Sequence, residues 1–254
     1  MPYRIERLKV CLNGARRRAH HPALPVSPAE LAAAAAGAVG AGAEAIHLHP
    51  RDSTGQESLR AADVGAAVAA VRRACPGVPV GVSTGLWIVR GDVRARRDLV
   101  ARWTELPEAG RPDFASVNVS EAGFGELSRV LRPAGIAVEA GVWSAADAEA
   151  LAGTDPVGVI RVLVEILGGT AADAVPAADA VLRRLDDLGV AVPRLLHGEE
   201  AACWPLVAHA GRLGLPTRIG LEDTLAGPDG HPAGGNAELV EQALAVWRRA
   251  RADT

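Results

Sequence analysis

Apolar residues along this chain gather in short runs, and segments with helical spacing separate them. Leu8–Leu12, Ala45–His49, Val78–Ser83, Asp113–Val119, Gly135–Glu139, Val157–Ile166, Pro193–His197 and Thr217–Leu221 each have the length of a buried strand. The intervening stretches carry helix signals. Ser27-Pro28-Ala29-Glu30 combines a Ser cap, Pro in the first position and Glu three residues after the Ser, and opens a helix to about Gly42. Further helices are predicted over Ala61–Cys75, Val93–Trp103, Glu121–Leu131, Ser144–Leu151, Ala174–Leu188, Glu199–Leu213 and Asn236–Arg251, the last capped by Asn236. The strands are mostly apolar, as strands buried on both faces are. Eight strand–helix units in 254 residues predict the α/β class and a single (β/α)8 TIM barrel over residues 1–254. A doubly wound open sheet would bring a G-x-G-x-x-G turn after an early strand, and none occurs.

Polar residues stand where these strands end, and barrels keep their chemistry at the carboxyl ends. His47 and His49 project from one face of the second strand, one pleat apart, and Pro50 stops it. Such a pair suits one metal ion, although a polar loop patch or two satisfied core histidines would read the same way. The other strand ends offer Asn13, Ser83 and Thr84, Ser116 and Asn118, Glu139, Glu165, His197, and Glu222 with Asp223. Glu222 is the best candidate to complete the metal site, because in a closed barrel strand 1 alone separates strand 8 from strand 2. Asp223 then points elsewhere, available as a base, and Arg218 shares the face of Glu222 by parity.

Composition narrows the function. The net charge of −3 gives no case for nucleic acid or an anionic membrane surface. No apolar run approaches the roughly 20 residues of a membrane span, and Met1–Arg7 lacks the apolar core of a signal peptide. Cys11, Cys75 and Cys203 are too scattered for a disulfide scaffold or a thiolate zinc site, so a cytoplasmic location is the expectation. Lys9 is the only lysine and opens the first strand, at the wrong end for a Schiff base. The tract Gly14–His21 carries Arg16, Arg17, Arg18, His20 and His21, and reads equally as a solvated loop or as an anion-binding loop over the barrel mouth.

The motifs Asn13-Gly14-Ala15, Ala41-Gly42-Ala43, Ile46-His47-Leu48-His49 with Arg51-Asp52 and Gly55, Ser83-Thr84-Gly85, Ala115-Ser116 with Asn118, Arg218-Ile219-Gly220-Leu221-Glu222-Asp223 and Asn236-Ala237-Glu238-Leu239-Val240 follow one another over nearly the whole chain. Together they make the chain resemble the β-keto acid cleavage enzymes, of which the 3-keto-5-aminohexanoate cleavage enzyme is the first member. The resemblance implies a divalent metal, usually zinc, held by His47, His49 and Glu222. It implies Asp223 as the base, oriented by Arg218, with Ser83 and Ser116 on the substrate and Glu139 in the site. The implied reaction joins a β-keto acid to acetyl-CoA as co-substrate and returns acetoacetate plus a new CoA thioester, in a homodimer or homotetramer. Asn13, Thr84 and Asn118 are further candidates to touch the substrate.

The chain departs from the family where members often carry Glu in the loop after strand 1. Arg16 stands there, so a neutral or anionic keto acid is expected in place of an amino-bearing one. The chain is also shorter than typical members, with a brief loop after strand 4. A metallohydrolase is the competing reading. Amidohydrolases, however, carry His-x-His on strand 1 with further histidines from strands 5 and 6, where this chain offers Glu139 and Glu165. A non-catalytic binding protein fits a rim this rich in polar groups least well.

Overall fold

The structure is a computed structural model that describes residues 3–154 and 158–254. Each apolar run becomes a strand: β1 (Leu8–Cys11), β2 (Ala45–Leu48), β3 (Val80–Ser83), β4 (Phe114–Asn118), β5 (Ala137–Val142), β6 (Val159–Ile166), β7 (Arg194–Gly198) and β8 (Thr217–Ile219). Val157, expected to open the sixth strand, lies outside the described residues. The strands run parallel in the order β7-β6-β5-β4-β3-β2-β1-β8. Across the seam between β7 and β8, the Leu196 N–H donates to the Pro216 carbonyl at 3.0 Å. The Thr217 hydroxyl donates to the Leu196 carbonyl at 2.8 Å. The result is a (β/α)8 barrel.

Eight helices pack outside it: α1 (Pro28–Gly40), α2 (Ala61–Ala74), α3 (Val93–Ala101), α4 (Phe124–Leu131), α5 (Ala145–Ala152), α6 (Ala171–Asp187), α7 (Cys203–Leu213) and α8 (Asn236–Ala252). The Ser27–Glu30 capping box forms as expected, each side chain accepting the other's backbone N–H. Two expected boundaries shift for visible reasons. Glu121 does not open α4, because its carboxylate turns back to accept the Leu86 N–H at 3.0 Å and to pair with Arg96. Asn236 is the first residue of α8 and Gly235 is the cap. The Asn236 side chain instead braces the barrel, accepting from the Leu221 N–H and donating to the Leu12 carbonyl.

The barrel interior is filled in layers. Ile5, Ala45, Phe114, Leu163 and Leu195 form one apolar cluster inside the barrel. Phe114 fits because Gly81 has no side chain: a Cβ there would lie 1.9 Å from the ring. Packed against this cluster is a buried charge layer. Lys9 Nζ donates to Glu139 Oε2 at 2.5 Å, the Arg161 guanidinium bonds the other Glu139 oxygen, and Lys9 lies 5.6 Å from the Phe114 ring centroid.

This layer corrects one expectation. Glu139 does not end its strand, since β5 continues three residues to Val142. It is fully buried between two cations and takes no part in the wall of the pocket above.

Burial alone would raise the Glu139 pKa, but Lys9 and Arg161 outweigh it and hold the carboxyl below its ordinary value of 4.5. The pair therefore stabilises the fold at pH values above 4.5, and that contribution is lost as the pH falls through the depressed native value. Glu139→Gln leaves two cations buried without a counter-charge, and should cost about 3–5 kcal/mol in denaturant titrations at neutral pH. The deficit should shrink in acid. A variant as stable as the parent at neutral pH would contradict this role.

Candidate active site

His47 is the third residue of β2 and His49 follows the strand's last residue, so the pleat turns both rings to the barrel axis. Their centroids are 5.2 Å apart and their planes meet at 81°. Parallel pairing sets Cys11 of β1 beside His47, and Val10 beside Ile219 of β8, so β1 is the spacer between the histidines and the turn after β8. That turn approaches closely because Gly220 has no side chain, a Cβ there falling 1.9 Å from the Cys11 carbonyl oxygen. It brings Glu222 Oε2 to 3.8 Å from His47 Nε2 and 3.6 Å from His49 Nε2. One ligand atom from each of the three lies within 4.8 Å of the others.

These groups fit a divalent ion. Glu222 Oε2 is buried and has no hydrogen-bond partner, while Oε1 accepts from Arg218 at 3.1 Å. Burial would push the Glu222 carboxyl up, but Arg218, His49 and His47 hold it well below the ordinary range, so it is an anion. Burial keeps His47 neutral. His49 Nδ1 meets Glu57 Oε1 at 2.6 Å, which assigns a ring proton to Nδ1; burial disfavours the charged ring, but Glu222 and Glu57 outweigh it and raise the pKa to about 9, so Nε2, which faces Glu222, would give up its proton on taking a metal ion. Trp87 covers His49, with centroids 6.2 Å apart and planes at 25°, and its indole N–H donates to Glu57 Oε2 at 3.1 Å.

Glu57 was not among the residues expected in the site. It arrives there because the chain after β2 folds back on itself, with Asp52 Oδ1 accepting the Thr54 and Gln56 N–H groups, Gly55 left-handed, and Arg51 bridged to Glu57. The turn residues Asp52-Ser53-Thr54-Gly55 are the only sequence signal for it.

Arg218 organises the acidic side. Its Nε and a terminal nitrogen donate to Asp223 Oδ1 at 2.9 and 2.7 Å, and the same nitrogen reaches Glu165 Oε1 at 3.2 Å. Asp223 is fully buried with Oδ2 unpartnered. Burial, reinforced by Glu222 and Glu165 against Arg218, pushes its carboxyl up to about 7. A carboxylate oxygen each of Glu199, Glu222 and Asp223 lies within 4.8 Å of the others. Burial and Glu165 push Glu199 up to about 8, so it is largely uncharged at neutral pH. Glu199 was expected only as the start of a helix. His197 lies beneath, fully buried, 3.7 Å from Glu165 and 3.9 Å from Asp223, both ring nitrogens without partners.

A cavity of about 420 Å³ opens above these groups, with Ser83, Ser116 and Asn118 on one side and Trp143, Leu163 and Leu167 on another. Asp223 lies behind Arg218, outside the cavity wall, whereas Glu165 and Glu199 are in it. Asn13 and Thr84, expected to touch the substrate, do not line it either. Asn13 is consumed by backbone groups, accepting from the His49 N–H at 2.9 Å and donating to the His49 and Pro25 carbonyls. Thr84 donates to the Ser116 carbonyl at 2.6 Å. Both are positioning groups. Arg16 does line the cavity, but its guanidinium is already engaged by Glu200 at 2.5 Å and by the Glu222 carbonyl at 3.2 Å.

Two imidazoles, a buried anion and an Arg-held carboxylate gather at the carboxyl ends of the strands, where (β/α)8 enzymes keep their active sites. The chain belongs to the beta-keto acid cleavage enzyme family, whose family model matches residues 7–253. Among solved structures it is similar to apo ObcA, with 19% identity over 88% of this chain and 61% of that one and a TM-score of 0.71. It is likewise similar to a ternary complex of ObcA with a C4-CoA adduct and oxalate, with 18% identity over 88% and 63% of the two chains and a TM-score of 0.70. The tryptophan synthase alpha subunit of Legionella pneumophila str. Paris shares the fold at 14% identity over 98% and 94%, with a TM-score of 0.61. The chain thus spans about three fifths of the length of ObcA. No helix among the described residues is long and apolar enough to cross a membrane.

Glu57 gives the metal reading a specific test. A carboxylate behind a ligating histidine fixes its tautomer, and its removal typically weakens binding 10- to 100-fold. Glu57→Gln should weaken zinc affinity by about that factor in a competition titration with a chromophoric chelator. Unaltered affinity would mean that His49 is not a ligand.

Proposed function

We propose that the chain is a metal-dependent β-keto acid cleavage enzyme that condenses a β-keto acid with acetyl-CoA to give acetoacetate and a new acyl-CoA. The observation that carries this reading is the convergence of His47, His49 and Glu222, with Glu222 Oε2 buried and unpartnered, in a chain of this family. The ObcA complexes, with oxaloacetate in one and a C4-CoA adduct in another, lend support from similar structures. In the overall exchange one C–C bond breaks and one forms, and one C–S bond breaks and one forms. No oxidant or organic cofactor is required.

A bound divalent ion, zinc first among them, would supply Lewis-acid polarisation of a keto oxygen. The other work falls to side chains. Ser83, Ser116 and Asn118 offer hydroxyl and amide donors along one wall for the substrate carboxylate. Asp223 is the base that accepts a proton from the carbon between the two carbonyls. Arg218 fixes its Oδ1 and leaves Oδ2 free for that task. Glu199 is the second reading for the base, favoured by its place in the cavity wall. A homodimer or homotetramer, in the cytoplasmic location expected from the scattered cysteines, belongs to the same reading.

The charges of the pocket refine the substrate. Arg16 is neutralised by Glu200, Glu165 is engaged by Arg218 and the Trp143 indole, and Glu199 is largely protonated at neutral pH. The space beyond the keto group is bounded by Trp143, Leu163 and Leu167. A keto acid with an uncharged tail fits this wall best.

Turnover should appear when acetyl-CoA and a neutral β-keto acid are mixed with the zinc-loaded protein and the new thioester is followed by mass spectrometry. Asp223→Asn should lower kcat by roughly a hundredfold or more, the usual scale for a general base, with metal content unchanged. Full activity in Asp223→Asn and its loss in Glu199→Gln would transfer the role to Glu199. In a panel of equal chain length, the neutral keto acid should exceed an amino keto acid in kcat/KM by at least about tenfold, equivalent to about 1.4 kcal/mol. Preference for the amino acid form would overturn the substrate reading.

A further inference from the structure

Two ionisable residues that the chemistry above does not use meet just beyond the end of β4. Arg96 lies on α3, where Arg94 and Asp98 are exposed and pair with each other, yet the Arg96 side chain is fully buried. A buried guanidinium needs a counter-charge and several acceptors. Arg96 finds them in the Glu121 carboxylate and the Ala122 carbonyl. The pair fastens α3 to the carboxyl end of β4.

The remaining hydrogen bonds of the Glu121 carboxylate go to the active site. Its two oxygens accept the Leu86 N–H at 3.1 and 3.0 Å, and Oε1 accepts an Asn118 amide N–H at 3.1 Å. Leu86 opens the short turn Leu86–Val89 that carries Trp87. Trp87 is 45% exposed, so packing alone does not fix its ring beside His49. The ring folds back over Gly85, where a Cβ would fall 2.2 Å from it, and the turn behind it hangs on Glu121 through Leu86. Asn118 lines the cavity wall. Its Oδ1 occupies the space over Gly141 of β5 and one N–H is held by Glu121, which leaves the second N–H as the group it offers a ligand.

We propose that Arg96 and Glu121 are positioning residues for the active site: Glu121, held by Arg96, seats Trp87 over His49 and aims the Asn118 amide into the cavity. The Asn118 half of the inference rests on the substrate reading above. One carboxylate thereby ties the cover of the histidine pair to the wall that receives the substrate.

Tryptophan quenching by acrylamide on the zinc-loaded chain tests it, with the Trp87 contribution taken as the difference between each protein and its Trp87→Phe counterpart. Replacing Glu121 alone strands a buried cation, whereas Arg96→Met combined with Glu121→Leu removes both charges at similar volume, a change that buried ion pairs tolerate. In this double variant Trp87 should become more accessible to acrylamide, and KM for the keto acid should rise about tenfold with kcat near the parent value, the scale of one charge-assisted hydrogen bond. Arg96→Lys, which keeps a cation beside Glu121, should recover most of the shielding. Equal shielding of Trp87 in parent and double variant overturns the proposal, as does an unchanged KM or a fall in kcat alone. Should the double variant not fold, amide exchange in the parent labelled with 15N-leucine decides: Leu86 should be protected, and exchange at the rate of an unstructured chain overturns the proposal. Release of Trp87 in the double variant, with no turnover by the parent on any keto acid, would uphold the positioning role and defeat the reaction reading alone.

Discussion

A buried carboxylate with one oxygen satisfied and one bare is the constraint on which this structure turns. Stripping a carboxylate of water costs several kcal/mol unless cations replace the lost hydration. Glu222 recovers part of that from Arg218 on one side. On the other side it faces two imidazole nitrogens at 3.6–3.8 Å, too far for hydrogen bonds and well spaced for an ion between them. The arrangement depends on the backbone at the β1–β8 seam. Gly220 lets the turn lie against Cys11, and Gly14, with a left-handed φ of 52°, leaves room for the Glu222 side chain, where a Cβ would fall 2.5 Å from its Cγ. A side chain at either glycine would push Glu222 away from the histidines.

The same barrel keeps a second set of charges apart from the first. Lys9, Glu139 and Arg161 form a closed layer beneath the site, and the Arg218 cluster forms the floor of the cavity. Arg218 divides its donors among Asp223, Glu222 and Glu165. No one of these carboxylates is fully neutralised, which suits a site that must hold a cation and move a proton. The two layers explain why a barrel of this size buries so many ionisable groups. One layer braces the fold, and the other is turned to the cavity.

The parts legible in the sequence are those fixed by simple periodicities. The two-residue period of a strand puts His47 and His49 on one face, and strand order in a closed barrel brings the end of strand 8 near strand 2. The parts that were not legible depend on where a strand stops and on what the backbone demands of side chains. Glu139 reads as a strand end, but β5 runs on through Gly141, where Asn118 Oδ1 occupies the space that the missing side chain leaves. Asn13 and Thr84 are polar and near the rim, yet backbone groups consume them. Glu57 is brought in by a loop that doubles back, a contact with no periodic signature.

Metal content is the most direct measure of the central claim, that His47, His49 and Glu222 form one divalent-ion site. Elemental analysis after dialysis against zinc and removal of loose metal should give about one ion per chain, the capacity of a single closed ligand set. Glu222→Gln should abolish it while leaving the barrel's circular dichroism intact. A parent chain that retains no ion under these conditions, or a Glu222→Gln variant that retains as much as the parent, would contradict the account.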